Sequence, residues 1–263
     1  MFSKAVVILA TMVPLQASNP MLQILSEINQ PENKINLARG ILLIDQLIDP
    51  NINPEKYKNK LDQLNLEIEN YHQDSKGPNK LTNIRKVLYN PKSQSMKYSY
   101  HHVSQVPPPT KRIQQSLLSY YLKTQLGTCI SMPLLILILA EDQPHQLQLS
   151  VLNDHWALTF KHRSDIYFEA TSNQMLPITK WANASKNEVP KALKKSEILL
   201  AYLQLYGAHL VYNDQLMKAR SLFRYLVKKS NGDPTMRQNL KAIYARLYIK
   251  TKQEAFRQLL NHY

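Results

Sequence analysis

His155-Trp156-Ala157-Leu158-Thr159-Phe160, Lys161-His162-Arg163-Ser164 and Asp165-Ile166-Tyr167-Phe168-Glu169 together form the stretch whose reading sets the fold. Both flanks alternate apolar with smaller or more polar residues, and the polar four between them can turn, so the segment reads as a β-hairpin. Matching the apolar faces puts Trp156 opposite Phe168 and Leu158 opposite Ile166. A slip of one residue would turn one set outward, so burial selects against it. This register sets His155 directly opposite Glu169, where β-carbons about 4.5 to 5.5 Å apart permit an imidazole–carboxylate hydrogen bond. Asp165 shares that face but falls opposite Thr159, and Asp154 points to the other face, so both are weaker partners for the ring.

Upstream, Gly127-Thr128-Cys129-Ile130-Ser131-Met132-Pro133 leads into Leu134-Leu135-Ile136-Leu137-Ile138-Leu139-Ala140. The apolar run reads as a buried helix with Thr128 as its N-cap and Cys129 in the first turn, and Pro133 is early enough to be tolerated. Unpaired N–H groups and the positive end of the helix dipole favour an ionised sulfur at such a position. Cys129 is the single cysteine of the chain. Thiol, imidazole and carboxylate in that order can form a nucleophilic triad: the sulfur attacks, the ring moves the proton and the acid orients the ring. The blander reading makes Cys129 a small buried apolar residue and the His and Glu coincidental.

These residues resemble a family. Leu126-Gly127-Thr128-Cys129-Ile130-Ser131-Met132-Pro133-Leu134-Leu135, His155-Trp156-Ala157-Leu158 and Glu169-Ala170-Thr171-Ser172 look like the transglutaminase-like superfamily, in its bacterial SirB-like branch. The run Leu37-Ala38-Arg39-Gly40-Ile41-Leu42-Leu43-Ile44, with Asp49-Pro50, Pro54, Tyr57 and Leu61-Asp62, is similar to that branch's N-terminal region. The resemblance covers roughly residues 30 to 175. It implies an α+β fold with a papain/transglutaminase-like core acting on amide or ester carbonyls, with Cys129 as nucleophile, His155 as general base and acid, and Glu169 as the orienting carboxylate. Where the family commonly shows glycine after Glu-Ala-Thr-Ser, this chain has Asn173-Gln174.

Four regions follow along the 263 residues. Residues 1–18 carry Lys4, an apolar run and Gln16-Ala17-Ser18, the order of an export signal, with an N-terminal helix packed on the domain as the alternative. Cleavage would place the protein in the periplasm or outside the cell; without it the protein is cytoplasmic. Residues 19–109 read as a helical N-terminal region. It holds a helix over Met21–Ile48 and a second begun by Asn53 and Pro54 with Leu61, Leu64 and Ile68 on one face. A polar loop around Gly77-Pro78 and a shorter helix over Leu81–Tyr89 follow. Residues 110–190 are the catalytic core, opened by a helix capped by Thr110 that carries Ile113, Leu117, Tyr121 and Thr124 towards Cys129.

Residues 191–263 change character, with 14 Lys and Arg against 4 Asp and Glu out of a whole-chain net charge of +14. Helical periodicity and Leu203, Tyr206-Gly207, Leu210, Ala219 and Phe223 resemble a tetratricopeptide repeat, with Asn231-Gly232-Asp233-Pro234 as a turn and a weaker unit around Ala255 and Leu259. So few repeats cannot stand alone and are expected to pack on the core. The scarcity of glycine, 5 in all, argues against a phosphate-cradling loop. His101-His102 lacks partners at ligand spacing, so neither metal nor cofactor is expected. The apolar leader is too short for a transmembrane helix. A peptide or protein amide is the expected substrate, with hydrolysis and transamidation left open. The alternative is an inactive scaffold or binding module whose basic tail attracts an acidic protein, and the absence of a reader motif argues against nucleic acid.

Overall fold

Proline and asparagine punctuate the N-terminal third. The computed structural model describes residues 19–73, 80–89, 99–100, 108–141, 147–152, 155–181 and 190–262. The export signal over 1–18, the loop at Gly77-Pro78, His101-His102 and Asp154 lie outside the described residues. The expected helix over Met21–Ile48 is two helices, α1 (Pro20–Ile28) and α2 (Leu37–Ile48), with a short 3-10 turn at Glu32–Lys34 between them. Pro31 cannot donate within a continuing helix, and the Asn36 side chain accepts from Arg39 N–H at 2.9 Å to start α2. Helix α3 (Pro54–Gln73) begins as its sequence requires, with Asn53 accepting from Glu55 N–H at 3.0 Å. Its Leu61, Leu64 and Ile68 are buried. Helix α4 (Lys80–Tyr89) follows.

The single helix expected after Thr110 is likewise two, α5 (Pro109–Gln115) and α6 (Leu118–Thr124), and Pro108 rather than Thr110 precedes the first. The break has an external cause. Leu117 is extended and gives α6 no side-chain cap. Instead Leu118 N–H donates to the Tyr202 hydroxyl at 2.9 Å and Ser119 N–H to Asp45 Oδ2 at 2.7 Å. The Tyr202 hydroxyl also bonds Asp45 Oδ1 at 2.7 Å. A helix whose first donors are met from outside can restart without a local cap.

Beyond α6, β1 (Ser99–Tyr100) pairs in parallel with β2 (Leu126–Gly127), and α7 (Ser131–Leu139) follows. The main sheet has five antiparallel strands in the order β6-β5-β4-β3-β7, where β3 is Leu147–Leu152, β4 His155–Phe160, β5 Arg163–Glu169, β6 Gln174–Pro177 and β7 Lys191–Ala192. Four helices close the chain: α8 (Lys195–Tyr212), α9 (Leu216–Lys229), α10 (Pro234–Thr251) and α11 (Glu254–His262). The architecture is α+β, largely helical with one small antiparallel sheet.

The hairpin forms, but its register differs from the expected one by two residues: Leu158 faces Phe168 and Thr159 faces Tyr167. The turn is tighter than expected, with Phe160 paired to Arg163, and Ser164–Ile166 form an irregularity on one strand. A two-residue shift keeps every side chain on its face, so burial could not select between the two. Trp156, Leu158 and Phe168 join the main core, while Ala157 and Tyr167 pack with Trp181 on the other side.

One apolar core runs from Ile24 to Phe256, and α8 packs on α1, α2 and α5. The C-terminal helices thus share the core of the rest. Gly207 lies where α8 meets α9 closely enough that a β-carbon would collide with Phe223. Asn231 and Gly232 take positive φ in the expected turn, and Asp233 caps α10 by accepting from Thr235 N–H at 3.0 Å. Among the described residues no helix is long and apolar enough to cross a membrane.

Asp45 is wholly buried, and burial pushes its carboxyl up to about 7 against the lowering effect of its Ser119 and Tyr202 hydrogen bonds. A folded-state value above the ordinary 3.8 favours folding fully below that pH, and the contribution is lost as pH rises through about 7. The gap corresponds to about 4 kcal/mol at most. The urea midpoint should therefore fall between pH 4 and 7, and Asp45→Asn should flatten that slope.

Candidate active site

Thr128 and Ser131 build the turn that presents the thiol. Thr128 Oγ1 accepts from Ile130 N–H at 3.3 Å, and Thr128 N–H donates to Ser131 Oγ at 3.0 Å, a reciprocal pair in the manner of a capping box. Regular helix begins only at Ser131 with Ile130 at its N-cap and no side-chain cap, so Thr128 braces the preceding turn instead of capping α7, and Cys129 sits in that turn rather than in the first turn of the helix. Gly127 is required by space: a β-carbon there would lie 2.5 Å from Met132 Cγ and 2.8 Å from Tyr121 Cδ2. Cys129 is partly exposed, unlike the buried Met132, Leu134 and Leu135 further along.

His155 opens β4 and Glu169 ends β5. In the observed register Glu169 is diagonal to His155 rather than opposite it, a separation that long side chains still span. His155 Nε2 and Glu169 Oε2 are 2.6 Å apart, with side-chain exposures of 20% and 10%. Asp165, the competing carboxylate, is exposed, bonded to Arg163 at 3.0 Å and no longer opposite Thr159.

Each member of the pair has support that the sequence reading did not assign. Glu169 Oε1 accepts from both the N–H and the hydroxyl of Thr171, at 3.1 and 2.6 Å, leaving Oε2 for the ring. Trp181 is 2% exposed and meets the imidazole edge to face, with centroids 6.1 Å apart, and packs on Tyr167 at 4.6 Å. It keeps water from one side of the His155–Glu169 bond. Helix α4 clamps the following turn: Arg85 donates to Asn173 Oδ1 at 2.7 Å and to its carbonyl at 3.0 Å, and the Tyr89 hydroxyl donates to the Ala170 carbonyl at 3.0 Å. Asn173 has φ 55, so it fills a left-handed position that asparagine tolerates better than most residues. Trp181 was detectable only as one of two tryptophans in the chain, and Arg85 carried no local signal at all.

Electrostatics follow from these contacts. Interaction with the Cys129 side chain raises His155 most, and the Glu169 hydrogen bond adds to it against the opposing effect of burial, so the imidazole is pushed up to about 9. Burial pushes the Glu169 carboxyl up, but the hydrogen bonds from His155 and Thr171 outweigh it and hold the group below its usual range. The ring is therefore cationic at neutral pH, between a sulfur and an ionised carboxylate. Such an arrangement can favour a nucleophilic sulfur and can deliver a proton to a leaving group.

No family model, curated protein or solved structure matches the chain.

An NMR titration of the His155 ring should place its midpoint near 9. Cys129→Ala and Glu169→Gln should each lower it, the former more, while Thr171→Val should lower it least. A midpoint that stays put in all three variants would contradict the arrangement.

Proposed function

We propose that the protein is a thiol-dependent acyl transferase or hydrolase of peptide or protein amides, with a papain/transglutaminase-like core. The observation that carries this reading is the 2.6 Å contact between His155 Nε2 and Glu169 Oε2 on a ring whose other partner is the partly exposed Cys129. In the first half-reaction the Cys129 sulfur attacks the amide carbonyl carbon, a C–S bond forms and the carbonyl π pair moves to oxygen. In this reading the Cys129 N–H, ahead of α7, donates to that oxyanion. Collapse of the tetrahedral species breaks the C–N bond, and the departing amine takes a proton from His155. A thioester and a neutral imidazole result. His155 then accepts a proton from water or from a second amine as it attacks the thioester; the C–S bond breaks with its pair on sulfur, which releases acid or a new amide and leaves the ring protonated for the next turnover.

Glu169 positions the ring and compensates its charge throughout, and Thr171 fixes the carboxylate. Because Nε2 is engaged by Glu169, Nδ1 is the nitrogen left to move protons. The resemblance to the SirB-like branch points to the same roles for the same three residues.

A second reading has its own observation. Lys218, Arg224, Lys228, Lys229, Lys241 and Arg246 are exposed on α9 and α10, a basic surface suited to an acidic protein partner. In that reading the core is an inactive scaffold. Iodoacetamide alkylation of Cys129 against pH separates the two. The enzyme reading expects fast reaction near neutral pH that slows at least about tenfold in His155→Ala. An ordinary thiol profile unchanged by that substitution favours the scaffold. Turnover of an amide substrate should decline as pH rises through about 9, because His155 then loses the proton it must donate. Glu169→Gln should move that decline to lower pH.

A further inference from the structure

One hydroxyl reaches both sides of the break between α5 and α6. The Tyr202 oxygen accepts from Leu118 N–H, the first donor of α6, at 2.9 Å, and stands 3.4 Å from the carbonyl of Ser116, the residue that ends α5. It is also 2.7 Å from Asp45 Oδ1, while Oδ2 accepts from Ser119 N–H at 2.7 Å. A phenol has one proton to donate, so it cannot serve Asp45 and Ser116 together. The charge of Asp45 decides which receives it. An ionised carboxyl offers only acceptors and takes the Tyr202 proton. A neutral one donates from Oδ1 to the Tyr202 oxygen, and the Tyr202 O–H is free to turn to Ser116. Tyr202 then accepts twice and donates once, which uses every bond its oxygen can make.

Asp45 is wholly buried, and among the described residues no lysine, arginine or histidine pairs with it. Tyr202 from α8 and Tyr57 from α3 are the titratable groups facing it; Asp49 at the end of α2 also acts on Tyr57, and Lys60 of α3 is committed to the Leu122 carbonyl at 3.0 Å. Burial and the nearby carboxyl raise both phenols, so each keeps its proton while Asp45, pushed up to about 7, changes charge. From this junction α6 leads to the thiol turn, and Gly127 of that turn packs on Tyr121 of α6 so closely that a β-carbon would lie 2.8 Å from its ring. We propose that Tyr202 is a positioning residue for Cys129 and acts as a proton-coupled rotor: with Asp45 neutral its hydroxyl joins Ser116 to Leu118 across the break, and with Asp45 ionised it lets Ser116 go. On ionisation the carboxyl proton passes to solvent and the Tyr202 O–H swings to Oδ1, so α6 and the turn it carries lose one tether to α5. The thiol is held most firmly below about pH 7. Its bearing on catalysis rests on the acyl-transfer reading above.

Carbon NMR of the full chain tests the rotor. The Asp45 carboxyl and Ser116 carbonyl signals should move with one midpoint near 7. In Asp45→Asn, whose amide donates to Tyr202 as the neutral acid does, the Ser116 signal should stay at its low-pH position. Tyr202→Phe should abolish its shift, and Asp45→Asn keeps the test open if that variant fails to fold. Iodoacetamide alkylation of Cys129 should fall at least about threefold as pH rises through about 7, modest beside the roughly hundredfold that a misplaced reacting group can cost. The fall should vanish in Asp45→Asn, and it lies apart from the His155 transition near 9. A Ser116 carbonyl that stays put while Asp45 titrates overturns the rotor, as does a shift that persists in Asp45→Asn. Coupled titration without the fall in alkylation overturns the link to Cys129. Alkylation that is independent of His155 but still falls near 7 overturns the acyl-transfer reading and supports the rotor.

Discussion

Two backbone N–H groups at the start of α6, those of Leu118 and Ser119, have no acceptor in their own helix and lie in the protein interior. Everything near the thiol depends on how they are met. The Tyr202 hydroxyl and the Asp45 carboxyl meet them, which ties α2, α6 and α8 at one buried point. From that anchor α6 runs to Gln125, whose left-handed backbone turns the chain into Leu126-Gly127 and so to Cys129. A neutral carboxyl is the comfortable form in such a place, since an isolated buried charge is costly. The interior accepts a polar centre because the two N–H groups have acceptors that chain continuity alone could not supply.

The sheet contributes a different kind of constraint. His155 and Glu169 sit at the ends of neighbouring strands, where the regular ladder stops and side chains can turn towards a helix terminus. Thr171, Trp181 and the Arg85–Asn173 clamp then remove the freedom that strand ends usually keep. A side-chain pair held this closely needs its supporting residues as much as its own hydrogen bond. Those supports come from α4, the β5–β6 turn and the segment after β6, so the site is assembled from most of the chain between Lys80 and Trp181.

What could be read from the sequence was whatever local period and burial decide. The start of α3 at Asn53-Pro54, the face of Leu61, Leu64 and Ile68 and the face shared by His155 and Glu169 all follow from spacing. The hairpin register did not, because alternation fixes parity and is blind to a shift of two; only the Lys161-His162 turn and the irregularity at Ser164–Ile166 decide it. The split between α5 and α6 was hidden for another reason, since its cause is a tyrosine 84 residues away. Leu147-Gln148-Leu149-Ser150-Val151 does alternate, but nothing in it names β4 and β7 as its neighbours.

Dependence on Tyr202 also orders events during synthesis. The thiol loop, the imidazole and the carboxylate leave the ribosome before α8 does, yet Leu118 N–H lacks its acceptor until that helix has emerged and docked. A chain stopped short of residue 202 would hold Cys129, His155 and Glu169 without the acceptor that starts α6. Docking of α8 is thus built into the maturation of the segment that leads to Cys129.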